Sequence, residues 1–160
     1  MPRPPLSIFA AAAIIAATLF SRAVAAGELT VVIDKLRSAN GMVHLALWNS
    51  AVGFTRPEHA LIQTEQPAAD GQVRFDLGQL APGRYALASY HDENGNGEFD
   101  QTWIGWPDEG LGFSNGAWIT LGRPSFEDAA FELRPVSQVL VVPLRYPKVQ
   151  PTPDHTQGSQ

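Results

Sequence analysis

Apolar and polar positions alternate in steps of two through most of the chain between residues 27 and 146. Leu29, Val31 and Ile33 share one face of a first predicted strand, and Val43, Leu45 and Leu47 one face of a second. Ala39-Asn40-Gly41 supplies the turn between them. Val73, Phe75 and Leu77 repeat the pattern, as do Tyr85, Leu87 and Ser89. Residues 139–144 close the series, with Pro143 predicting an edge strand or a bulge because proline cannot donate to a ladder. Residues 118–121 and 130–133 are weaker strand candidates. Trp48 and Trp118 are assigned to the core. Pro124-Ser125-Phe126-Glu127-Asp128 predicts one helical turn capped by Ser125, and no other segment past the N-terminal apolar run has a helical period. About six or seven short strands separated by turns predict an all-β fold. Its form is a single antiparallel, immunoglobulin-like β-sandwich.

A second signature supports this class. Leu80-Ala81-Pro82-Gly83-Arg84-Tyr85 has the form L-x-P-G-x-Y. Proline pre-sets the turn, and glycine takes the conformation other residues resist. Tyr85 then opens the next strand, where its hydroxyl is expected to bond back to the turn backbone as in a tyrosine corner.

The ends differ from the middle. Arg3, the apolar run 6–20 and Ala23-Val24-Ala25 have the charge, length and small residues of a secretory signal. The run is short for a membrane span, so no stable membrane anchor is expected. The predicted division is a signal peptide over 1–26, a β-sandwich over 27–146 and a disordered tail over 147–160, which is polar and proline-rich. The chain is therefore expected to be exported, to the periplasm or outside the cell. It has no cysteine, which excludes lipidation at the cleavage site and leaves stability to packing, with a bound ion as the available staple. The segment 1–26 carries two of the 11 Lys and Arg and none of the 16 Asp and Glu, so the remainder is more acidic than the full chain's −5. Such a surface argues against nucleic acid as a partner, since phosphate contacts need cations.

The densest chemistry lies in His91-Asp92-Glu93-Asn94-Gly95-Asn96-Gly97-Glu98-Phe99-Asp100. Side-chain oxygens recur at Asp92, Asn94 and Asn96, followed by Gly97, a backbone position at Glu98, and Asp100. This is most of a calcium loop of the D-x-[DN]-x-[DN]-G type. Calcium takes about six to eight oxygens, and acceptors alternating along a curled backbone converge on one point. The position that would hold the closing bidentate Glu is Trp103, and no amphipathic helix flanks the loop. Asp108 or Glu109 is the candidate to complete the shell. The competing reading is an Asn-Gly turn with solvated acids.

These residues also resemble a known family. Gly83-Arg84-Tyr85-Ala86 running into the 91–97 stretch is similar to a bacterial family of exported domains of unknown function, number 2141. So are Gly105-Trp106-Pro107-Asp108-Glu109-Gly110, Gly112-Phe113-Ser114-Asn115 and Pro124-Ser125-Phe126-Glu127-Asp128-Ala129. The resemblance covers residues 28–146 and implies no established activity. The turn and acidic loop also look like those of prealbumin-like and collagen-adhesin B-type sandwiches. In the adhesin relatives a comparable loop holds calcium and stiffens surface stalks. This chain lacks their repeated array, wall anchor and isopeptide lysine.

Three other features have weaker chemistry. Gly112-Phe113-Ser114-Asn115-Gly116 fits G-x-S-x-G, but a nucleophile elbow needs a strand before the serine and a helix after it. Here a loop is expected before it and a strand after it, and the one downstream histidine, His155, falls in the tail. His91 adjoins Asp92, yet His44, His59 and His155 have no metal-ligand spacing. Trp103 and Trp106 flank the acidic loop and are the candidate surface for a glycan or another cell-envelope ligand. The sequence thus predicts a non-catalytic exported sandwich with one structural calcium held by Asp92, Asn94, Asn96, the Glu98 carbonyl and Asp100. A carbohydrate-binding module is the alternative, and a small hydrolase a remote one.

Overall fold

A computed structural model describes residues 25–101 and 107–146 of the chain. Residues 1–24 of the predicted signal segment, Trp103, Trp106 and the predicted tail lie outside the described residues. Among the described residues, eight strands run in the order β1 (Gly27–Leu36), β2 (Met42–Trp48), β3 (Ile62–Pro67), β4 (Gly71–Leu80), β5 (Gly83–Asp92), β6 (Gly110–Phe113), β7 (Phe131–Leu133) and β8 (Gln138–Pro143). They form two sheets, ordered β4-β1-β8 and β3-β2-β5-β6, with β7 paired to the start of β5.

The period-2 pattern explains the sandwich. Leu29, Val31, Ile33, Val73 and Phe75 of the first sheet face Val43, Leu45, Leu47, Tyr85 and Leu87 of the second, and all are buried. Each such side chain contributes on the order of 1.5–3 kcal/mol when fully removed from water. The predicted corner is present: the Tyr85 hydroxyl donates to the Ala81 carbonyl at 2.7 Å. Ser125 caps the single helical turn α1 (Phe126–Ala129), with Asp128 reaching back to the Ser125 N–H in a full capping box.

Three features depart from the sequence reading. The sandwich is not wholly antiparallel, because β8 lies parallel to β1, from Leu29 opposite Gln138 to Asp34 opposite Pro143. Pro143 sits on an edge strand, as its missing N–H requires. Residues 118–121 form no strand, and Leu121 is fully exposed. Two strands carried little apolar signal. β3 is polar except for Ile62 and runs along a sheet edge. β6 reads Gly-Leu-Gly-Phe, and its glycines are set by contact with the end of β8 and the chain that follows it. A Cβ on Gly110 would meet the Tyr146 ring at 2.4 Å, and one on Gly112 the Pro143 carbonyl at 2.8 Å.

Alternation also builds a second apolar layer on the outer face of the larger sheet. Trp48, Ala86, Leu111 and Phe113 point away from the sandwich core and are covered by Phe54 and by Phe126 of α1. Phe54 meets Trp48 and Phe126 edge-to-face, with centroids 5.3 and 5.8 Å apart. Trp48 is thus buried in this outer layer rather than between the sheets. Trp118 is only partly buried against it, beneath the Arg145 guanidinium at 4.8 Å. No helix among the described residues is long and apolar enough to cross a membrane.

Candidate metal centre

Strand β5 delivers Asp92 to its C-terminal end on the outer face of the larger sheet, opposite Met42 of β2. Gly41, in the β1–β2 turn at φ 72°, makes room for it, since a Cβ there would lie 1.8 Å from the Asp92 carbonyl oxygen. Asp92 is 1% exposed. Its Oδ1 accepts from the N–H groups of Gly95 at 2.7 Å and Asn96 at 3.2 Å, and its Oδ2 from that of Gly97 at 2.8 Å. The chain therefore curls around one carboxylate, and Gly97 at φ 77° takes the left-handed turn that the curl needs. Burial alone would raise the Asp92 pKa, but the three N–H donors and the nearby His44 outweigh it and hold the group below its ordinary value.

The other acceptors extend the curl. Asn94 Oδ1 accepts from the Asn96 N–H at 2.9 Å, and Asn96 Oδ1 from the Glu98 N–H at 2.7 Å. The alternate acceptors thus serve the loop's own backbone as successive Asx turns. Both amide groups turn their N–H ends on Asp100. Asn94 Nδ2 donates to its Oδ2 at 2.6 Å, and Asn96 Nδ2 to its Oδ1 and Oδ2 at 3.2 and 3.1 Å. Asp92, Asn94, Asn96 and Asp100 are therefore gathered in one turn, with Glu98 exposed beside them.

The far side of the β5–β6 connection returns to this turn. The Asp108 N–H donates to the Asp100 carbonyl at 3.0 Å, and Gln101 bridges to Pro107. This separates the two acids offered by the sequence. Asp108 is exposed, whereas Glu109 is 5% exposed and its Oε2 accepts from the Asp100 N–H at 3.2 Å. Its other oxygen, Oε1, is buried with no hydrogen-bond partner. Burial, together with the charges of Asp92, Asp100 and Glu93, pushes the Glu109 carboxyl up to about 7 against the pull of the Asp100 N–H. Glu93 turns away to Ser38 and to the guanidinium of Arg37, which holds it below its usual range.

His44 was not singled out by the sequence. It lies on the same sheet face as Asp92 by simple alternation, with Nε2 buried, unpartnered and 3.7 Å from Asp92 Oδ2. His91, which does adjoin Asp92 in sequence, points into the core instead. Its Nδ1 meets the Tyr146 hydroxyl at 2.7 Å and its Nε2 the Asn40 carbonyl at 2.7 Å, so both ring nitrogens are occupied. Among the described residues no three His, Cys, Asp or Glu side chains are gathered to hold a metal. Any cation here would depend on amide and main-chain oxygens as well.

Ser114 follows a strand, contrary to the loop expected there, and opens a 3-10 turn, Ser114–Gly116. The hydroxyl is 1% exposed, donates to the Ala129 carbonyl at 2.5 Å and accepts from the Leu87 N–H at 2.9 Å. It ties α1 to β5 and has no base beside it among these bonds.

A family model described as "Uncharacterized protein conserved in bacteria (DUF2141)" matches residues 31–139. No curated protein and no solved structure matches the chain significantly.

Proposed function

The chain belongs to this family of uncharacterized bacterial proteins, and we propose that it is an exported, non-catalytic β-sandwich whose 92–100 loop holds one structural calcium ion. The observation that carries the reading is Glu109. A carboxylate oxygen buried without a donor, in the field of the Asp92 and Asp100 charges, is costly unless a proton or a cation joins it. In this reading Glu109 replaces the closing acid that the loop lacks at Trp103. Asp92, Asn94, Asn96 and Asp100 contribute side-chain oxygens, and Glu98 its carbonyl. Amide oxygens have a second lone pair, so Asn94 and Asn96 keep their Asx turns while facing an ion. The two amide N–H groups now aimed at Asp100 stand in for the positive charge that the ion supplies.

An all-oxygen set favours calcium over zinc or copper. Its function would be mechanical. Asp92 ends β5 and Glu109 immediately precedes β6, so a shared ion clamps both ends of a long connection that has no strand among its described residues. Affinity is expected in the range of extracellular modules, about 10⁻⁴–10⁻³ M. Thermal melting in calcium and in chelator tests this. At a calcium level about 100 times the dissociation constant, stability rises by about 2.7 kcal/mol, and magnesium, which demands tighter octahedral geometry, does less. An unchanged melting temperature in about 10 mM calcium would overturn the proposal.

A further inference from the structure

The outer apolar layer is not filled by its own side chains. A cavity of about 570 Å³ lies over the larger sheet, within the range of about 300–1,000 Å³ typical of small-molecule sites. Its floor is made by Ala46 and Ala88, which face each other across β2 and β5. Two short side chains at the centre of the sheet leave the space open. Trp48, Tyr90, Phe99, Leu111, Phe113 and Ile119 supply apolar walls. This space opens to solvent, and its size and aromatic walls are those of a small-molecule cleft.

The charged groups at the cavity differ in their pairing. Glu65 stands 3.2 Å from His44 Nδ1, and His44 is itself stacked on Tyr90 at 4.5 Å. Arg123 is exposed, lies 3.5 Å from the Thr55 hydroxyl and takes part in none of the ion pairs among the described residues. A guanidinium without a counter-charge beside an apolar space matches a ligand with an anionic end. We propose that this cavity binds a small apolar molecule bearing a carboxylate or similar anionic head, with its body over Ala46 and Ala88 and its head at Arg123. The inference rests on the cavity alone and stands whether or not the 92–100 loop binds calcium.

Fluorescence titration of the purified chain with 1-anilinonaphthalene-8-sulfonate tests it, with dodecanoate and dodecylammonium as competitors. Saturable binding of one probe per chain is expected, displaced by dodecanoate and not by dodecylammonium. Ala88→Phe abolishes binding while the cooperative melt is retained, and Ala46→Phe repeats the block from the facing strand should the first variant not fold. Arg123→Gln weakens the sulfonate probe by about tenfold and leaves neutral N-phenyl-1-naphthylamine unchanged. No saturable binding of any probe, or binding indifferent to both blocking substitutions, would overturn the cavity as a site. Equal affinity of Arg123→Gln for the anionic probe would overturn the head-group assignment.

Discussion

Asp92 and Asp100 are both acids of the same loop, yet the backbone depends on them differently. Asp92 accepts from three main-chain N–H groups, so Asp92→Ala removes the acceptor around which the loop curls. It should lose about 1–3 kcal/mol in denaturant titrations in chelator, and more in calcium, where a ligand to the ion is lost as well. Asp100 is held by side-chain amides. Asp100→Ala should change stability little in chelator and remove most of the gain that calcium gives. Glu109 sets a pH dependence. Its folded carboxyl titrates near 7 against an ordinary 4.5, so the native state retains a proton that the unfolded chain has released. In chelator, stability should therefore fall as pH rises from about 4.5 to 7 and level off above, by on the order of 2–3 kcal/mol. Glu109→Gln should flatten that slope in urea melts across the interval, and an unchanged slope would exclude Glu109 as its source. The spacing of Asp92, Asn94, Asn96 and Asp100 was legible in the sequence because acceptor period is a one-dimensional property. That Glu109, rather than Asp108, turns inward depends on the pairing of residues 100–101 with 107–108, which the sequence pattern does not state.

At the scale of elements, the turn 39–41 and the helical turn 126–129 carry clear local expectations. Gly41→Ala would drive a methyl into the Asp92 carbonyl and force a residue with a side chain to hold φ near 72°. A loss of about 2 kcal/mol or more is expected in equilibrium unfolding, with the loop disturbed as well. Ser125→Ala removes one cap and should cost about 1 kcal/mol without touching the loop. Strands β1, β2, β4 and β5 were readable because each buries every second side chain between the sheets. β3 was not, since it is a polar edge, and neither was β6, where glycine fills the positions pressed by Tyr146 and Pro143. Residues 118–121 looked like a strand through their composition alone, and they have no partner strand among the described residues.

For the whole molecule, the chain builds three layers where a sandwich needs two. Alternating positions that would face water in a simple antiparallel sheet carry Trp48, Leu111 and Phe113 instead, and the connections around 51–60 and 114–130 cover them. Tyr90 and Phe99, in edge-to-face contact at 5.3 Å, join this layer to the acidic loop. The loop and the cavity thus share one end of the same sheet. An apolar residue on a strand does not announce which of two layers it enters, which is why the sequence assigns Trp48 to a core without saying on which face of the sheet that core lies. The most direct test of the calcium reading is an anomalous-difference map from crystals grown in calcium. A single peak coordinated by Asp92, Asn94, Asn96, the Glu98 carbonyl, Asp100 and Glu109 is predicted, and density there explained by water alone, with Glu109 still unliganded, would contradict it.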